Sequence, residues 1–171
     1  MTAGNQRQQR GFTLIELLVT LMIASIIAVM AVPAFASFLA RQQLASDVNE
    51  LISVLSFARS EAIKQRQPIL VTFLPPDECG NVEGIDGDND RQQWCYRVER
   101  EDNDEIMRVG QSANITTPDH AFSLTFQSLG DADIDGCGAS PCNVTLTPQR
   151  DNIDPVALVI NTTGSIRRGE P

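Results

Sequence analysis

Hydrophobic and polar positions divide the chain into three stretches with different periods. From Leu17 to Ala40 there are 24 consecutive residues without a charge, built mainly of Leu, Ile, Val, Met and Ala. A helix of that length reaches about 36 Å, enough to cross a hydrocarbon core of about 30 Å. Beyond Arg41 the apolar residues thin out to Leu44, Val48, Leu51, Leu55, Ala58 and Ala62, with Asp47, Asn49, Glu50, Ser53, Ser60 and Lys64 off that stripe. Spacings that alternate between four and three predict an amphipathic helix. It should stop near Arg66, because Pro68 disfavours helical geometry at Gln67 and has no amide hydrogen to donate. The stripe is barely three heptads long and is followed by β-rich sequence, so a sheet of the same chain is the expected partner rather than a coiled coil. Pro33 interrupts the apolar run and predicts a kink or a locally melted turn there.

The third stretch has the short runs of strands. Residues 69–73, 94–98, 106–109, 122–126, 143–147 and 156–160 are rich in β-branched and aromatic side chains and are separated by Gly, Pro, Asn and Asp clusters. Gly110 and Gly130 are expected to mark turns, and Thr163-Gly164 before Ser165-Ile166-Arg167 predicts a last hairpin. The fold class is therefore α+β: a long N-terminal helix, membrane-spanning in its first half, packed on a C-terminal antiparallel β-sheet domain.

Composition sharpens this picture at two points. The chain of 171 residues carries a formal charge of -9, which excludes a generally basic nucleic-acid-binding surface. Eleven of its acids fall within positions 77–105, so an acidic body follows the apolar segment. Arg7 and Arg10 lie before the apolar run, and the positive-inside tendency puts the N-terminus in the cytoplasm and everything after Arg41 outside. Glu16 then stands at the head of the membrane segment, where a carboxylate costs up to about 3 kcal/mol, less toward the interface. Either it reaches water or it is neutralised. Cleavage between Gly11 and Phe12 would place a new α-amino group four residues before Glu16, one helical turn away, and a neighbouring subunit's amine could serve equally.

The run Gly11-Phe12-Thr13-Leu14-Ile15-Glu16, behind a short basic leader and ahead of an apolar helix containing Pro33, resembles the prepilin peptidase site of type IV pilins and type II secretion pseudopilins. Ala58-Arg59-Ser60-Glu61-Ala62, followed by Pro68 and a strand, further resembles the GspH/FimT subfamily, with its FimU-like minor pilins. The resemblance implies a leader over 1–11, a transmembrane and filament-core helix over 12–40, the amphipathic half of the same helix over 41–66, and an extracytoplasmic β domain over 67–171. It implies cleavage between Gly11 and Phe12, N-methylation of Phe12, and docking of Glu16 onto an adjacent subunit during assembly. Its partners would be prepilin peptidase, the inner membrane, the major pilin and other minor pilins or pseudopilins. The chain would begin in the bacterial inner membrane with its C-terminal domain periplasmic, and end in a pilus or pseudopilus fibre, near the tip. The rival reading is a secretory signal with Ala34-Phe35-Ala36 before Ser37, which would release a soluble binding domain. Against it stand Glu16 at the head of the run and the helical pattern that continues past the cut.

Four cysteines in a segment placed outside the cytoplasm favour disulfides. Of the three pairings, Cys79 with Cys95 and Cys137 with Cys142 is favoured because each pair brackets a turn-rich segment; loop entropy gives roughly 3 and 2 kcal/mol. No C-x-x-C occurs and the one histidine, His120, is remote in sequence, which argues against zinc. Asp131-Ala132-Asp133-Ile134-Asp135-Gly136 matches the first half of a calcium loop, but the twelfth position is Cys142 rather than a bidentate Glu. Asp86, Asp88 and Asp90 make a poorer copy, with Arg91 where the turn glycine belongs. Calcium is thus the one cofactor the residues suggest, and solvated acidic loops are the plainer reading. Neither G-x-S-x-G, a phosphate-cradling glycine loop nor H-E-x-x-H occurs, so no enzyme is expected. Near the C-terminus, Gly164-Ser165-Ile166-Arg167-Arg168-Gly169 resembles in part the G-R-x-R element of FimT, the branch that takes part in DNA uptake. Ser165 replaces the first arginine, leaving Arg167 and Arg168, with Arg150 as a third cation, against solvated arginines on a frayed tail.

Overall fold

The computed structural model describes residues 12–81, 94–111, 115–148 and 153–169. The chain divides into two compact units, Met1–Phe38 and Leu39–Pro171. Helix α1 runs over Leu14–Gln65. It starts at a threonine cap: Thr13 Oγ1 accepts a hydrogen bond from the amide of Glu16 at 3.3 Å, and the Thr13 carbonyl accepts from Leu17 at 3.2 Å. Among the described side chains of the first unit, the large apolar ones from Leu14 to Phe38 are exposed. The hydroxyls there are satisfied within the helix, with Thr20 donating to Leu17 O, Ser25 to Met22 O and Ser37 to Pro33 O. The helix continues through Pro33 without interruption, which corrects the expected melted turn. It ends where the pattern placed it: Arg66 adopts φ 56°, and Pro68 follows.

In the second unit the strands are β1 (Ile69–Leu74), β2 (Cys95–Arg100), β3 (Ile106–Gln111), β4 (Ile115–Thr117), β5 (Phe122–Phe126), β6 (Ala132–Asp133), β7 (Cys142–Leu146), β8 (Val156–Ile160) and β9 (Ile166–Gly169). They form a five-stranded sheet in the order β3-β2-β1-β5-β6 and a four-stranded sheet in the order β4-β7-β8-β9, with all pairs antiparallel. In β1 and β5 alternate residues are buried, as period two requires when one face meets a core. The expected stripe is the buried face of α1, from Leu44 to Ala62, joined by Val54. That face shares one core with Ile69, Val71 and Phe73 of β1, Leu124 and Phe126 of β5, and Val144, Leu146, Leu158 and Ile160 of the second sheet. Leu51 and Leu55 are fully buried, and each contributes roughly 1.5–3 kcal/mol of transfer free energy.

Two sequence expectations need correction. Gly110 is no turn; it lies inside β3 opposite Tyr96, and any Cβ there would enter the tyrosine ring. Arg167 and Arg168 are not a frayed tail, since β9 pairs them with Val159 and Leu158 of β8. The disulfides join Cys79 to Cys95 and Cys137 to Cys142.

Candidate functional site

The residues expected to carry function are dispersed, and each is best described with the element that holds it. Phe12 is 85% exposed and immediately precedes the capping residue of α1. Glu16 is also exposed, in the first turn of the helix, where the unpaired amides favour negative charge. The Thr13-x-x-Glu16 pattern of a helix start is legible in the sequence, and Thr13 Oγ1 holds the backbone amide of Glu16. Gly11, Asp86, Asp88, Asp90, Arg91 and Arg150 lie outside the described residues.

The half-loop that suggested calcium is folded for another purpose. Ala132 and Asp133 form β6 and pair with Phe126 and Thr125. Asp133 Oδ1 then accepts the amide of Asp135 at 3.0 Å, opening the short 3-10 turn Asp135–Cys137. A Cβ at Gly136 would collide with Ser123, so this glycine serves close packing. Among the described residues, no group of three His, Cys, Asp or Glu side chains could hold a metal ion, and Asp131, Asp133 and Asp135 make no such group. The four thiols are committed to disulfides.

Arg167 and Arg168 occupy successive strand positions, whose side chains leave opposite faces of the sheet. Arg168 reaches α1, where its Nη2 donates to Asn49 Oδ1 at 3.1 Å, while Arg167 is exposed. The fold therefore does not bring the pair together as one phosphate clamp.

Sequence reasoning quoted the Ala58–Ala62 motif without finding its use. Ala58 and Ala62 are fully buried, which lets the helix approach the sheets closely. Between them Arg59 donates from Nε to the carbonyl of Gly130 at 2.8 Å and from Nη2 to that of Thr163 at 3.1 Å. One carbonyl belongs to the turn between β5 and β6, the other to the turn between β8 and β9. A backbone bond from the amide of Ala132, at the start of β6, to Thr162 O in the β8–β9 turn, at 2.8 Å, ties the two sheets directly. Arg59 is thus a brace joining both sheets to the helix. Replacing it by methionine is expected to cost about 2 kcal/mol, in the range for hydrogen bonds from a charged donor. Lysine, a point donor without the fork, should recover less than half of that loss. Urea titration followed by the fluorescence of the buried Trp94 measures both.

A second tie uses Tyr96, whose hydroxyl donates to Glu50 Oε1 at 2.8 Å. Burial, and then the bond to Glu50, push the tyrosine hydroxyl's pKa upward. Arg108 lies over the rings of Phe57 and Tyr96, at 5.9 and 6.0 Å from their centroids, and 3.8 Å from Glu50. These groups lock β2 and β3 to α1.

Residues 6–32 match the family model of the prokaryotic N-terminal methylation motif, and residues 47–164 match that of the type II transport protein GspH. The chain belongs to the GspH family. Two fimbrial proteins of Pseudomonas aeruginosa are 37% identical to this GspH-family chain over 71 residues, 42% of it and 46% of their own length. The chain therefore spans about half the length of the curated relatives it matches. The solved structure of the type IV minor pilin FimU of Pseudomonas aeruginosa is similar to it at 20% identity, with a TM-score of 0.50, covering 78% of this chain and 92% of that one. That likeness establishes the pilin fold: a long N-terminal helix followed by an antiparallel sheet domain. Family and fold together are those of structural subunits of the pilin and pseudopilin kind.

Proposed function

We propose that this protein is a minor pilin or pseudopilin that is cut before Phe12 by prepilin peptidase, N-methylated there, and assembled near the tip of a type IV pilus or type II secretion fibre. Its segments then divide the work. Residues 1–11 are the leader, 12–40 the membrane and filament-core helix, 41–66 the amphipathic half, and 67–171 the extracytoplasmic domain. Before assembly the N-terminus is cytoplasmic and the acidic domain periplasmic; afterwards the helix packs against the major pilin and other minor subunits. The observation that carries this reading is the methylation-motif match over 6–32, with Glu16 standing alone before 24 uncharged residues. Mass analysis of the mature N-terminus tests it. N-methylated Phe12 is the expected result, and a free Ser37 would replace it with a soluble secreted domain. A DNA receptor of the FimT kind is the lesser reading, because Arg167 and Arg168 project to opposite faces and the chain carries a net charge of -9.

A further inference from the structure

Within the second unit, a groove of about 470 Å³ opens between one face of α1 and the β8–β9 side of the second sheet. The helix contributes Arg41, Leu44, Ala45 and Val48, which share a face at spacings of three and four. The opposite side is made by Ile153, Asp154, Val156 and Arg168. Leu44 and Val48 are buried and give an apolar floor, while Arg41, Asp154 and Arg168 are exposed. Arg168 is held in place from one side by Asn49 and lines the groove.

We propose that this groove binds the headgroup of an amine-bearing membrane phospholipid, resting on the reading of 12–40 as a membrane helix. The phosphodiester sits between the guanidinium groups of Arg41 and Arg168, which suit phosphate oxygens through paired N–H donors. The ammonium of the headgroup faces Asp154, and the glycerol end lies on Leu44, Val48, Ile153 and Val156. Three features favour this occupant. Two cations and one carboxylate around an apolar floor complement a zwitterionic amphiphile better than a polyanion. Arg41 is the first charged residue after Leu17–Ala40, so chain connectivity keeps it within reach of the headgroup layer. Finally, a chain with a net charge of -9 is repelled by anionic surfaces as a whole, and a basic groove on it is a local exception. The volume falls in the range of small-molecule sites.

The test uses the protein extracted from membranes into neutral detergent with equal amounts of phosphatidylethanolamine, phosphatidylglycerol and phosphatidylcholine, with retained lipids counted by native mass spectrometry. One phosphatidylethanolamine per chain is expected. Arg41→Ala should lower its occupancy at least tenfold, and Asp154→Asn should turn the preference toward phosphatidylglycerol. Arg167→Ala, on the other face of β9, should retain the lipid. Unchanged occupancy in Arg41→Ala overturns the proposal, as does equal loss in Arg167→Ala, which would mean diffuse attraction. Saturation by soluble glycerophosphoethanolamine, or displacement by a short DNA duplex, would overturn the membrane source in favour of a free phosphodiester or a nucleic acid. Arg41 is exposed on the helix, so its replacement leaves the core intact, and circular dichroism of the same sample checks that. N-methylation of Phe12, read in the same spectra, separates failure of this site from failure of the pilin reading.

Discussion

Glu16→Gln is expected to leave cleavage before Phe12 intact and to reduce incorporation into fibres more than a hundredfold, measured as the amount of this subunit in sheared fibres relative to membranes. Under the proposed function, Glu16 enters a filament core lined by apolar helices, where a carboxylate is tolerated only beside a counter-charge. The new α-amino group of a subunit cut before Phe12 supplies one. Removing one partner of a buried ion pair costs about 3–5 kcal/mol, which corresponds to more than two powers of ten in an assembly equilibrium. Glutamine is the informative replacement because it changes the charge with little change in shape. It also preserves the helix start, because the bond from residue 16's amide to Thr13 Oγ1 is made by the backbone. A loss therefore reports on charge rather than on fraying of α1. Wild-type incorporation of the glutamine variant would remove the basis for the assembly role.

Gly164→Val should destabilise the second unit by roughly 3 kcal/mol, visible as a lower urea midpoint with an unchanged slope. Gly164 has φ 70°, in the left-handed region that costs an ordinary residue about 1–2 kcal/mol and a β-branched one more. Space forbids the change independently. A Cβ at this position would enter the carbonyl oxygen of Gly130, a backbone atom that cannot rotate away, and would press on Arg59 Nε at 3.1 Å. The two turns braced by Arg59 would have to separate, so overpacking adds a further cost on the order of 1–3 kcal/mol. Because Gly164 and Arg59 act on the same pair of turns, their effects should be less than additive in the double variant Arg59→Met, Gly164→Val. Full additivity would mean that the brace and the close approach are independent.

What the sequence revealed, and what it concealed, follows from the range of each interaction. Strands β5 and β8 are read to the residue because Phe122–Phe126 and Val156–Ile160 are bounded by polar and turn residues and carry their burial pattern locally. The helix stripe was legible for the same reason. Val54 lay outside it because the helix contacts both sheets, so its buried face is wider than one stripe. Strand β6 has only two residues, Ala132 and Asp133, and neither favours strand; its pairing with β5 creates it. Gly110 reads as a turn until the Tyr96 ring, fourteen positions away, fills the place of its side chain. The candidate site shows the same division. Phe12 and Glu16 stand in a contiguous motif and are visible at once. Arg59 finds its partners 71 and 104 positions away, and no local pattern announces them. The Asp131–Gly136 spacing left calcium open because alternate carboxylates occur equally in a short strand and in an ion-binding loop, and only the following turn distinguishes the two.

The cysteine bridges carry a mechanical corollary. They span 16 and 5 residues, and neither fastens α1 to a strand. Tension applied through the N-terminal rod, as when a subunit is drawn out of a bilayer, is therefore borne where α1 meets the sheets by side-chain packing and a few polar ties, Arg59 foremost. Under excessive load the domain should yield by sliding of the rod along its sheets, with both covalent staples still closed.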